Sequence, residues 1–87
     1  MMERRLKILY RKNLKMSPGK IAAQAVHASA AIGHDKPLMS VVVLGVSDRK
    51  FSEHLVRSDI RPHVVLDAGY TEVPPGTETC MAFYEEA

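Results

Sequence analysis

The chain reads as an α/β protein, a three-layer α/β/α arrangement around a four-stranded mixed sheet with chain order β-α-β-α-β-β and the last strand antiparallel. Three observations predict it. Short strand-like stretches alternate with helical ones from the beginning of the chain, the pattern of βαβ units. A nine-residue apolar run at 38–46, rich in valine, has the length and β-branching of a strand covered on both faces. The segment 68–76, with two glycines and two prolines, is a tight loop from which the chain returns as a final strand.

In residues 6–11, Leu6, Ile8 and Tyr10 alternate with Lys7, Leu9 and Arg11, a period-two pattern for the first strand. Residues 13–16 form a loop. Ser17 is suited to cap a helix and Pro18 to occupy its first turn, where a missing N–H costs nothing. The helix runs to about Gly33, a residue suited to a C-terminal position. At about 100° per residue, Lys20, Gln24 and His27 share one polar stripe, while Ile21, Ala25, Ala28 and Ile32 make an apolar one. The many alanines predict a helix packed on two sides, with the polar stripe facing a cleft.

After a short connection at 34–37 comes the valine-rich strand, and strand-helix-strand implies a right-handed parallel crossover. Ser47 or Asp48 caps a second helix, expected through about Ser58, with Phe51, Leu55 and Ile60 directed inward. Val64, Val65 and Leu66 make a third strand that ends in Asp67, and 77–84 is the last. In such sheets ligands collect at the carboxyl ends of the parallel strands. That edge carries the loop before Lys20 and the loop after Asp67.

Eighty-seven residues at 46% apolar content make one small domain, 1–87, with a thin core that association with a second copy would enlarge. No apolar run reaches the roughly 18 residues of a membrane span, and no signal peptide is evident, so a cytosolic protein is expected. Cys80 is the single cysteine and reads as a small core residue. The formal net charge of +2 conceals an asymmetry: Arg4, Arg5, Lys7, Arg11, Lys12, Lys15 and Lys20 crowd the start, whereas from Asp67 onward only acids occur. A basic segment beside a helix N-terminus suits a polyanion such as nucleic acid, although a solvated basic face has the same composition.

Several chemistries are disfavoured. The Gly-Lys pair at 19–20 lacks the rest of a phosphate-binding loop, with Leu14 in place of the first glycine and Ile21 in place of the hydroxyl residue. His27, His34, His54 and His63 have no metal-like spacing with one another or with Cys80, and no serine sits in a nucleophile-elbow turn. What remains is the stripe Lys20, Gln24 and His27 with Asp67 and the threonines Thr71, Thr77 and Thr79. A carboxylate ending a buried strand needs a partner, and Lys20 is a sensible one, as a structural pair or a catalytic one.

LKMSPGKIAAQAVHASAA at 14–31 resembles the first-helix signature of the type-2 peptidyl-tRNA hydrolases, and DAGYTEVPPGTET at 67–79 resembles the second signature of the same family. The resemblance spans nearly the whole chain. It implies hydrolysis of the ester between a peptide and the 3′ ribose of tRNA, recycling tRNA without a metal or cofactor. Carried over by position, it makes Lys20, Asp67, Thr71 and Thr79 catalytic, with Lys15, Gln24, His27, Gly69, Tyr70, Gly76 and Thr77 binding substrate. Asp67 would orient or deprotonate a water held by Thr71 or Thr79, while Lys20 stabilises the oxyanion. A lysine beside Asp67 weakens it as a base, which favours positioning and electrostatics. Tyr70 stands at a variable position where an aromatic ring could stack on a terminal base.

One departure stands out. Family members usually continue the first helix and add another before the second strand, where this chain has only 34–37. One face of the sheet is therefore expected to lose cover, leaving an apolar patch for a second subunit or a partner protein. The competing reading is a reduced homologue that acts as a tRNA-end or protein-binding module.

Overall fold

The computed structural model describes residues 4–33, 40–67 and 73–86. Strand β1 (Arg4–Arg11) leads through a single 3-10 turn at Lys12–Leu14, where a plain loop is expected, to helix α1 (Pro18–Ile32). Strand β2 (Ser40–Val46), helix α2 (Asp48–Leu55), strand β3 (His63–Leu66) and strand β4 (Glu78–Glu86) follow. The sheet order is β2-β1-β4-β3. β1 and β2 are parallel, while β4 lies antiparallel between β1 and β3, as the sequence predicts for the last strand.

Both helix starts follow from their capping serines. Ser17 Oγ accepts from the Lys20 N–H and Ser47 Oγ from the Lys50 N–H, both at 3.2 Å, satisfying a donor that the first turn leaves over. Helix α1 stops at Gly33, whose φ of 75° is costly for any residue with a Cβ. The Tyr84 hydroxyl donates to the Gly33 carbonyl and ties this end to β4. Helix α2 ends at Leu55 rather than near Ser58, and the chain turns through Val56 toward Ile60.

Alternation along the strands divides the core in two. Leu6, Ile8, Val65, Cys80 and Ala82 pack with Ala28 beneath α1, whereas Leu9, Met81 and Phe83 pack with Phe51 of α2 on the opposite face. Leu55, Ile60 and Val64 border the second cluster, so the inward side expected of the second helix is present although the helix is shorter.

Two expectations about burial fail for one reason. Helix α1 lies over β4, β3 and β1 and makes little contact with β2, because a helix about 10 Å wide cannot span four strands spaced about 4.8 Å apart. It is therefore packed on one side rather than two, and Val26 stays 68% exposed. β2 is an edge strand, not a strand covered on both faces: Val41 and Val43 are open on the α1 side and Leu44 on the other. Between α1 and β2 runs an open groove of about 860 Å³, lined by Tyr10, Ile21, Ala25, Val26, Val41 and Val43 among others, with no charged residue among the described residues of its wall. The connection itself, 34–37, and the first two residues of the expected strand, 38–39, lie outside the described residues.

Candidate active site

The polar stripe of α1 meets the end of β3. Lys20 Nζ donates to Asp67 Oδ2 at 2.5 Å, and Gln24 Nε2 donates to the same oxygen at 2.6 Å. The two donors lie one helical turn apart, so both reach the single acceptor without bending the helix. The side chains of Lys20 and Asp67 are 13% and 5% exposed, and Gln24 is buried. A charge pair this far out of water persists only when well paired, and the Gln24 amide supplies a second donor to the carboxylate. A carboxylate only accepts, so Gln24 presents its NH₂ group and its Oε1 points elsewhere.

The Asp67 backbone is fixed as firmly. Its N–H donates to the Thr77 carbonyl at 2.9 Å, and its carbonyl accepts from the Gly76 N–H at 2.7 Å. Thr77 donates both its N–H and its hydroxyl to the Pro74 carbonyl, closing a turn with Pro75 and Gly76 at the centre. Gly76 has φ of 80°, as the third position of a type II turn requires. Asp67 thus sits at the base of the Gly/Pro loop, held from both sides.

A cleft of about 230 Å³ opens beside the pair, lined by Lys20, Ala23, Gln24, His27, Leu66 and Asp67. Four residues singled out from the sequence, Lys20, Gln24, His27 and Asp67, are brought together here. Gly76 and Thr77 support Asp67 through main-chain bonds rather than lining the cleft. Lys15 is exposed in the loop before α1, in the left-handed region at φ 53°. Thr79 is fully buried at an irregularity of the β3/β4 ladder, its hydroxyl donating to the Val65 carbonyl at 3.4 Å, and it does not line the cleft. Gly69, Tyr70 and Thr71 lie outside the described residues.

Three contributors to the site escape the sequence reading. Leu66 and Ala23 form the apolar part of the cleft, and helical spacing from Lys20 marks only the second of them in advance. Cys80 carries no chemistry but braces the site, its thiol donating to the Gln24 carbonyl at 3.3 Å. Burial pushes that thiol up to about 11 from the ordinary 9.0, with a weaker opposing bond from Thr79, so it stays protonated and unreactive.

Fold and site together define a small α/β protein with a clamped carboxylate and a lysine at the carboxyl-end edge of its sheet, the edge where this class binds ligands. Residues 5–85 match the family model described as Peptidyl-tRNA hydrolase PTH2. A protein named peptidyl-tRNA hydrolase from Thermococcus onnurineus is 35% identical, over 86% of this chain and 78% of its own length. Like-named proteins from Haloquadratum walsbyi and Methanothermobacter thermautotrophicus are 35% and 34% identical, over 86% and 85% of this chain and 80% and 79% of theirs. The chain belongs to the PTH2 family of peptidyl-tRNA hydrolases. The match to the Thermococcus protein runs over 92 positions, more than 86% of an 87-residue chain can fill, so that relative carries residues inside the match that this chain lacks.

Proposed function

We propose that the protein hydrolyses the ester joining a peptide to the 3′ ribose of tRNA, releasing free tRNA, and that the Lys20–Asp67 cleft is where it does so. The observation that carries this reading is the convergence of Lys20 and Gln24 on one oxygen of Asp67, in a chain whose relatives bear the name of that reaction. Water adds to the ester carbonyl, the carbonyl oxygen gains negative charge, and collapse expels the ribose 3′ oxygen, which takes up a proton. An ammonium has three N–H donors, and one of those on Lys20 is committed to Asp67, leaving donors for the developing oxyanion. Asp67, with one oxygen already accepting two hydrogen bonds, serves to aim Lys20 and orient the water rather than as a strong base.

Thr71 is assigned to hold that water. Thr79 is a positioning residue, its hydroxyl fastening β4 to the strand that carries Asp67. His27 and Gln24 border the substrate, and Lys15, Gly69, Tyr70, Gly76 and Thr77 complete its surroundings. The cytoplasm, where peptidyl-tRNA is made, is the expected compartment, and rescue of stalled translation the expected role.

The test is release of an N-blocked aminoacyl group from tRNA by the wild type, Lys20→Ala and Asp67→Asn, with unblocked aminoacyl-tRNA alongside. Each substitution is expected to lower kcat by about 10²- to 10³-fold, the scale of losing an oxyanion donor. Tight tRNA binding at low salt with no turnover by the wild type would instead make the protein a binding module.

A second copy of the chain is proposed to cover the groove beside β2. In a twofold contact residues near the axis meet their own counterparts, so a charge there would meet its like, and the described residues of this wall carry none. The outer edge of β2 also lacks the lysine, proline or bulge that blunts a solvent-facing edge. Light scattering should give a dimer for the wild type and a folded monomer for Val41→Lys/Val43→Lys. A wild-type monomer at high concentration would refute it.

A further inference from the structure

On the face of the sheet away from α1, a second cleft of about 380 Å³ lies between β1, β2 and the start of α2. Leu9 and Leu44, opposite one another in the β1/β2 ladder, are its apolar part, and Lys7, Lys12, Lys50 and His54 stand around it. Its charge is poorly neutralised. Lys7 faces Glu85 at 3.6 Å, and Asp48, the acid at the start of α2, is bonded to Arg11 at 3.0 Å. Lys12 and Lys50 make no ion pair among the described residues. Cations gathered at one concave surface repel one another, an arrangement that an anion relieves. Two of the first three N–H groups of α2 are already engaged, Asp48 with Asn13 Oδ1 at 3.1 Å and Lys50 with Ser47, so the side chains carry most of the attraction.

A path of positive charge joins this cleft to the Lys20–Asp67 site. Lys12 opens the 3-10 turn, Lys15 closes it, and Lys20 lies in the first turn of α1. Lys15 is the one residue other than glycine with positive φ among the described residues. A chain that had only to turn there would be better served by glycine, whereas a lysine sets a cation midway along the path. β2 and β3 are three strand spacings apart, about 14 Å, and the two clefts lie on opposite faces of the sheet, so a backbone joining them passes over the strand ends where Lys15 stands.

We propose that this cleft is a phosphate subsite that grips the tRNA backbone a few nucleotides from the terminal ester, with Lys15 as the intermediate contact, a proposal that rests on the reading of the protein as a peptidyl-tRNA hydrolase.

Wild type and Lys12→Ala/Lys50→Ala are compared on full-length N-acetyl-aminoacyl-tRNA and on N-acetyl-aminoacyl-adenosine, which has no backbone to grip. The double variant should raise KM for the tRNA about tenfold with kcat unchanged, leave the adenosine ester unaffected, and make the slope of log affinity against log salt shallower by about 1 to 2. Lys12→Arg/Lys50→Arg should keep the wild-type slope. An unchanged slope and KM, or an equal loss on both substrates, would overturn the proposal. If the wild type binds tRNA but cleaves neither ester, the hydrolase reading falls by itself, and the salt slope of binding still decides for or against the subsite.

Discussion

β2 and β4 are built from similar apolar residues and meet opposite fates. Cys80, Met81, Ala82 and Phe83 of β4 are all buried, whereas no residue of β2, with its run of three valines and a leucine, is. β4 has a strand on each side and a helix over each face, while β2 has β1 on one side and α1 set away from it. Burial is thus decided by place in the sheet, and hydropathy states only that a residue would accept burial.

The largest effect that sharpens this contrast is Phe83→Ala, expected to cost about 4 kcal/mol in urea denaturation, against a change within about 0.5 kcal/mol for Val43→Ala at a protein concentration low enough to keep the chain monomeric. A cost for Val43→Ala in the monomer close to that of Phe83→Ala would break the contrast and show β2 covered within the single chain.

A smaller effect comes from pH at Cys80. With the folded thiol raised to about 11, the native chain keeps a proton that the unfolded chain loses above about 9. Stability should therefore fall as pH rises from about 9 to 11, by about 2 kcal/mol in all, and Cys80→Ala should remove that slope. The same slope in both proteins would show that the thiol is not the cause.

The smallest effect falls on β2 itself. A Cβ at Gly45 would lie 2.7 Å from Cζ of Tyr10, so Gly45→Ala must displace that ring from the end of the groove. About 1 kcal/mol is expected, together with a changed Tyr10 signal in NMR, and a neutral substitution with an unmoved ring would show that this crowding is absent in solution.

How much was legible from the sequence follows the same division. The Ser-Pro start of α1, the cap of α2 at Ser47 or Asp48 and the polar stripe are local, and each is met in the structure within a residue or two, because capping and helical periodicity act over a few positions. The meeting of Lys20 with Asp67 was legible because an acid that ends a buried strand demands a partner. The exposure of Val41 and Val43 was not, since it depends on which strands α1 covers. The burial of Thr79 was equally hidden, because one irregularity in the β3/β4 ladder redirects a side chain that strict alternation would place elsewhere. The short length of α2 reflects a helix that buries only Phe51 and has little to gain by continuing.

The main-chain bonds at Asp67 bear on how such a protein can change over time. Gly76 and Thr77 close the excursion at its foot, so main-chain bonds at the end of the loop hold the backbone that carries the aspartate. Lengthening a closed loop costs little, since the entropy grows only with the logarithm of its length. A loop tied at its foot can change in length while the backbone that carries the carboxylate stays held. Selection can then retune what the loop recognises without rebuilding the chemistry beneath it.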